Sequence, residues 1–206
     1  MKYIKNVTIL LFVAGFSFTQ AQTEKGKVLI GGGTKMALAS DILSTKSNQD
    51  NKENYLSQKS FELNPVVAYF VVNNLALGLE IPITHQAIKY FEDYSESSLT
   101  TSALCFLRLY FNENDPIKPY IHGGIGLGLR NSSYTDLIYS YNYKAKYNLV
   151  LGKISAGVSA FINEKIALDI GIGYQYIRSK RQQDNPSDYR SISNGFASSI
   201  GFSFVL

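Results

Sequence analysis

The sequence predicts an all-β fold, an antiparallel up-and-down transmembrane β-barrel of about eight strands. Three observations carry the prediction. Large apolar residues alternate with small or polar ones, the period-2 signal of strands with one greasy face. No internal apolar run is long enough to cross a bilayer as a helix. Long polar connections alternate with tight ones along the chain. The clearest case is Ile166, Leu168, Ile170, Ile172, Tyr174 and Tyr176, separated by Ala167, Asp169, Gly171, Gly173 and Gln175. Ile192, Phe196, Ile200, Phe202 and Phe204 repeat it, with Ser193, Gly195, Ala197, Ser199 and Ser203 between.

Met1 to Ala21 has the form of a signal peptide: Lys2 and Lys5, the apolar run Val7–Phe18, then Thr19-Gln20-Ala21 as a cleavage site. Residues 22–206 are then one barrel domain. The first strand, near Lys27 to Asp41, carries Val28, Ile30, Met36 and Leu38 on one face and Lys35 on the other. Its Gly31-Gly32-Gly33 lacks the Lys-Ser/Thr of a phosphate-binding loop and suits closely packed backbone. Leu43–Gln58 is a polar loop. Phe61, Leu63, Val67, Tyr69 and Val71 follow as an outward row, with Glu62, Asn64 and Ala68 inward. Asn73-Asn74 turns tightly, because Asn tolerates positive φ. Leu75, Leu77, Leu79, Ile81 and Ile83 return, alternating with Ala76, Gly78, Glu80, Pro82 and Thr84. Pro82 removes a ladder donor and predicts a bulge.

After a polar loop at Phe91–Ser97 comes a fourth strand. It has Leu99, Ala103, Cys105, Leu107, Leu109 and Phe111 outward, and Thr100, Ser102, Arg108 and Tyr110 inward. Asn112–Lys118 turns. Ile121, Ile125, Leu127 and Leu129 then alternate with Tyr120, His122, Gly124, Gly126, Gly128 and Arg130. Asn131–Asn142 is a loop rich in Ser and Tyr. Val150, Ile154, Ala156 and Val158 face out on the sixth strand, with Lys153, Ser155, Gly157 and Ser159 opposite. Asn163-Glu164-Lys165 leads into the last two strands, which are joined by the loop Ser179–Arg190. Tight turns follow the even strands and long loops the odd ones, which places both termini in the periplasm. A soluble lipocalin-like barrel would turn its apolar face inward. Here the second face is Gly, Ser, Ala and occasional charge, which suits a narrow packed lumen.

Composition agrees. Gly at 16, Tyr at 15 and Phe at 12 residues, with no Trp, suit curved sheets and interfacial girdles. Mean hydropathy of -0.05 is too polar for a helical membrane protein. The net charge of +4 is scattered, without a basic helix or an aromatic–basic ladder, so nucleic acid is not an expected partner. Cys105 stands alone and forms no internal disulfide.

Several stretches resemble a known family. Phe61-Glu62-Leu63-Asn64-Pro65-Val66-Val67-Ala68-Tyr69-Phe70-Val71-Val72-Asn73-Asn74-Leu75-Ala76-Leu77-Gly78, then Lys118-Pro119-Tyr120-Ile121, and the aromatic final strand are similar to small single-domain outer-membrane barrels of OmpA/OmpX type. That family often ends in Phe, where this chain has Leu206 after Phe204. The resemblance implies an eight-stranded barrel set in outer-membrane lipid, recognised by the barrel-assembly machinery through its C-terminal strand. Its members differ in role, so it implies no single activity.

The chemistry of catalysis is thin. His85 lies in the outward row between Ile83 and Ala87, with no Ser or acid expected beside it, and His122 faces in. Glu92, Asp93 and Glu96 suit a solvated loop better than a calcium site, and no metal or cofactor is expected. The expected role is structural: an anchor whose loops Leu43–Gln58, Asn131–Asn142 and Ser179–Arg190 meet envelope or host ligands. The alternative is a narrow channel for ions or small solutes, with a lipid-modifying enzyme ranked below both. The inward polar set is Lys35, Glu62, Glu80, Arg108, Tyr120, His122, Arg130, Lys153 and Asp169. Reflecting the hairpin about Tyr94 puts Glu80 opposite Arg108, the expected luminal ion pair.

Overall fold

A strand whose odd and even side chains differ in polarity must bury one set, and in this chain the polar set is buried. The computed structural model describes residues 23–36, 57–89, 94–112, 115–136, 141–182 and 190–206. It contains β1 (Val28–Met36), β2 (Ser57–Val72), β3 (Leu75–Glu80), β4 (Ile83–Lys89), β5 (Tyr94–Tyr110), β6 (Ile117–Asp136), β7 (Tyr141–Phe161), β8 (Ile166–Arg181) and β9 (Arg190–Val205). Every pairing is antiparallel between chain neighbours, and β1 closes the ring on β9. β3 and β4 are two parts of one strand, since both lie between β2 and β5. The ring therefore has eight strands. Residues 1–22 and 37–56, and with them the expected signal peptide and most of the first loop, lie outside the described residues.

Two local expectations change. Pro82 makes no bulge. Pairing resumes in the same register after it, with Glu80 opposite Leu104 and Ile83 opposite Thr101. Only the ladder bonds at the proline are lost, and the Pro82 carbonyl still accepts from Ser102 N at 3.0 Å. The bulge sits on β2 instead, where Phe70 faces Ala76 and Val72 faces Leu75. The extra residue, Val71, turns partly inward, and Val72 takes the outward place expected for Val71. Asn74 in the following turn has φ 66°, the left-handed conformation that Asn tolerates. Four polar stretches assigned to loops are strand in part. β2 starts at Ser57, β5 starts at Tyr94, Asp136 still pairs with Tyr141, and β8 runs to Arg181. Polar residues continue these strands because a barrel can extend past the membrane once its ladder is set.

Among the described residues the outward rows are as expected on the other strands; the Met36 side chain and Leu38, expected outward on the first strand, lie outside them. Phe61, Ile125, Leu127, Phe196 and Ile172 are all more than half exposed. Inward lie Leu104, Phe106, Arg108, Tyr110, Tyr120 and His122, all buried. This inversion excludes a lipocalin-like soluble barrel, whose apolar residues would line the bore. Aromatic side chains stand exposed toward both rims. Phe61, Tyr174 and Tyr176 lie on the long-loop side, and Tyr69, Phe111, Phe202 and Phe204 on the short-turn side. Phe91, also expected in this girdle, lies outside the described residues.

Candidate functional site: the charged lumen

The bore is built in layers from the inward residues of all the strands. At the short-turn end Leu29, Phe70, Ala76, Tyr110, Phe161, Ala167 and Val205 form one buried apolar cluster. The preceding chain folds under it. Asn74 N donates to Thr23 O at 2.8 Å, and Gly26 N donates to Phe70 O at 3.0 Å. Lys118 is buried at this level and donates to Asn112 O at 3.0 Å.

Above this floor lie two ion networks. Arg108 Nη1 donates to Asp169 Oδ2 at 3.1 Å and to the Tyr110 hydroxyl at 3.2 Å. Its guanidinium stands 4.6 Å over the Tyr120 ring. Ser159 and Ser203 each donate to Asp169 at 2.5 Å, so that carboxylate is held from three strands. Lys153 Nζ donates to both oxygens of Glu80, at 2.9 and 2.8 Å, and Asn64 Nδ2 adds a third donor at 3.3 Å. His122 lies between the two networks, and its Nε2 makes no hydrogen bond. Its Nδ1 accepts from Arg108 Nε at 3.4 Å, which leaves the ring proton on Nε2, 3.7 Å from Glu80 Oε2. The ring stacks on Phe106 with centroids 4.5 Å apart.

The expected Glu80–Arg108 pair is therefore corrected. Both residues face inward, but Arg108 pairs with Asp169 and Glu80 with Lys153. The hairpin pairs Lys89 with Ser95, so reflection about Tyr94 misplaces the register, and Arg108 sits opposite Ala76. The actual partners come from β7 and β8, across the bore. Among the other expected residues, Glu62 is buried and accepts from Thr84 Oγ1 at 3.3 Å. Arg130 Nε donates to Thr100 Oγ1 at 3.2 Å. The Lys35 side chain lies outside the described residues, although its backbone pairs with Ser199.

Sequence reasoning missed the apolar members. Leu104, Leu149 and Leu151 form a second buried cluster on the wall above the ions. Phe70, Phe106 and Phe161 face in, and the sequence reading gives them no place on either face. Parity alone would have found Phe106, which lies between the inward Leu104 and Arg108, and Lys118, which precedes Tyr120 in the same row. The ion layer itself borders a cavity of about 80 Å³, partly open to solvent, against which Glu80, Arg108, Tyr120, His122 and Asp169 stand. Glu62, Lys153, Gln175 and Ser199 line it.

On the outer wall one further expectation changes. Ser97 Oγ lies 3.4 Å from His85 Nε2, because strand pairing runs past the expected loop and brings Ser97 opposite Ala87. No carboxylate completes a triad there among the described residues: the strand acids Glu62, Glu80, Glu96, Asp136 and Asp169 all alternate to the inner side. No cluster of metal-ligating residues occurs among the described residues.

A sequence family matches residues 8–204. The chain belongs to the outer membrane protein beta-barrel domain family. It is thus an outer-membrane β-barrel, as its inverted polarity requires. No curated protein matches it. Among solved structures it is similar to Ail, the attachment invasion locus protein of Yersinia pestis. The identity is 12%, the TM-score 0.52, and the match covers 88% of this chain and 99% of that one. It is also similar to Neisserial surface protein A, at 17% identity and TM-score 0.42, covering 87% of this chain and 97% of that one. The outer membrane enzyme PagL matches at 14% identity and TM-score 0.38, covering 86% and 97%. At such identities the likeness is one of fold.

Proposed function

We propose that this barrel is a closed scaffold in the outer membrane, displaying its long connections to envelope or host ligands and conducting little or nothing. The observation that carries this reading is the blocked bore. An apolar floor of Leu29, Phe70, Phe161 and Val205 lies beneath paired charges that cross the next layer. An eight-stranded barrel is only just wide enough for side chains to fill it. The termini lie on the periplasmic side in this reading, and β9, with Phe202 and Phe204 outward, presents the aromatic strand that the assembly machinery recognises. Planar-bilayer recording of the purified chain tests it. The expected record is flat, and sustained large conductance would promote the channel.

The channel is the second reading, and the cavity among the ion pairs is the observation in its favour. We read the protein as non-enzymatic, since His85 and Ser97 lack an acidic partner on their face among the described residues. Mass spectrometry of lipid A from cells with and without the protein checks this, and unchanged acyl chains are expected.

A further inference from the structure

The charges on this barrel are sorted by face. On the described strands every carboxylate alternates inward, whereas Lys144, Lys146, Arg178, Lys180 and Arg190 point outward on three adjacent strands, β7 to β9. All five are exposed. Lys59 and Lys89 do the same on β2 and β4, at the same long-loop ends. The cations begin where the lipid-facing row stops. Arg178 follows Tyr176 on the outward face of β8, and its ladder partners are Val150 and Ile192, both apolar and exposed. One step further Lys180 faces Asn148 and Arg190.

We infer that this collar docks the phosphate-bearing headgroups of anionic membrane lipids. The partner follows from position. An outward side chain next to Val150, Tyr176 and Ile192 stands where the hydrocarbon ends, and the long stems of Arg and Lys lift their charge to headgroup level. A merely solvated face would mix both signs, and this one carries only cations among its described residues. At the opposite rim the signs are mixed, as Lys27 and Glu24 lie 3.8 Å apart and Glu164 precedes Lys165. The collar therefore selects one leaflet, the one at the long connections. It deepens the proposed anchor by naming its lipid class, and it rests on the membrane setting, not on what the loops bind.

The test uses the full chain folded into phosphatidylcholine vesicles. Electron spin resonance compares the association of spin-labelled phosphatidylglycerol and spin-labelled phosphatidylcholine with the protein. Wild type should prefer the anionic lipid at least about fivefold. The variant Lys146→Gln/Arg178→Gln/Lys180→Gln should lose most of that preference while keeping a heat-modifiable gel band. The variant Lys25→Gln/Lys27→Gln/Lys165→Gln, with the same charge removed from the other rim, should keep it. Equal association of both lipids with wild type, or equal loss in the two variants, overturns the inference. If the first variant fails to fold, salt decides on wild type alone: preference unchanged at 1 M NaCl would overturn it. Both leaflets carry the probe, so the result does not depend on which loops face outside the cell. Failure of the display reading with lipid preference intact would be seen as such.

Discussion

Lys153 and Glu80 show what single residues do in this bore. Glu80 has 1% of its side chain exposed, and its charge is met by Lys153 at 2.8 Å. Replacing Lys153 with Met leaves a buried carboxylate without its main cation, which costs about 3–5 kcal/mol. The urea midpoint of unfolding from detergent micelles should fall accordingly. The double variant Glu80→Gln/Lys153→Met should recover much of the loss, because the penalty is the stranded charge and not the missing contact. No recovery would mean that Lys153 acts through its packing. Cys105 tests the other face. It is exposed on the outward row between Ala103 and Leu107, so in intact membranes an apolar thiol reagent should label it and a charged one should not. Rapid labelling by the charged reagent would place that row in water.

Elements depend on where backbones approach closely. A Cβ on Gly126 would lie 2.2 Å from the Ala103 carbonyl oxygen and 2.6 Å from Leu104 Cγ, whereas one on Gly152 meets nothing within 4 Å. Gly126→Ala should therefore destabilise the β5–β6 pair by about 1–3 kcal/mol, and Gly152→Ala should be neutral, both read from the same urea titration. Equal effects would remove the steric account. Strand order, facing and the Asn73-Asn74 turn were legible in the sequence because period-2 alternation encodes which side of a sheet a residue takes. Arg108 and Asp169 were both placed inward on that basis. Their pairing was not legible, because contacts across a bore join β5 to β8 and follow no ladder register. The Val71 bulge was equally hidden, since one extra apolar residue in Val66–Val72 leaves the pattern almost unchanged.

For the whole molecule the question is which layer closes the bore. The ion layer and the apolar floor are stacked, and they fail differently. Arg108→Ala removes the cation that holds Asp169 and leaves Ser159 and Ser203 as its remaining donors, so stability should drop by about 3–5 kcal/mol. The floor beneath loses the Arg108 hydrogen bond to Tyr110 but keeps Leu29, Phe70, Phe161 and Val205 packed together. That variant should therefore stay electrically silent in a planar bilayer. Phe70→Ala/Phe161→Ala does the reverse. It empties the apolar layer and keeps the Arg108–Asp169 and Glu80–Lys153 pairs. Lost stability is expected here too, since each truncation of a buried Phe costs about 3–5 kcal/mol. Leak should appear only when both layers are breached, in the triple variant that adds Arg108→Ala, because paired charges still obstruct the bore in the double. Leak from Arg108→Ala alone would make the ion pair the gate and revive the channel reading. Silence from a triple variant that still shows a folded, heat-modifiable band would mean that the second apolar cluster at Leu104, Leu149 and Leu151 also blocks the bore.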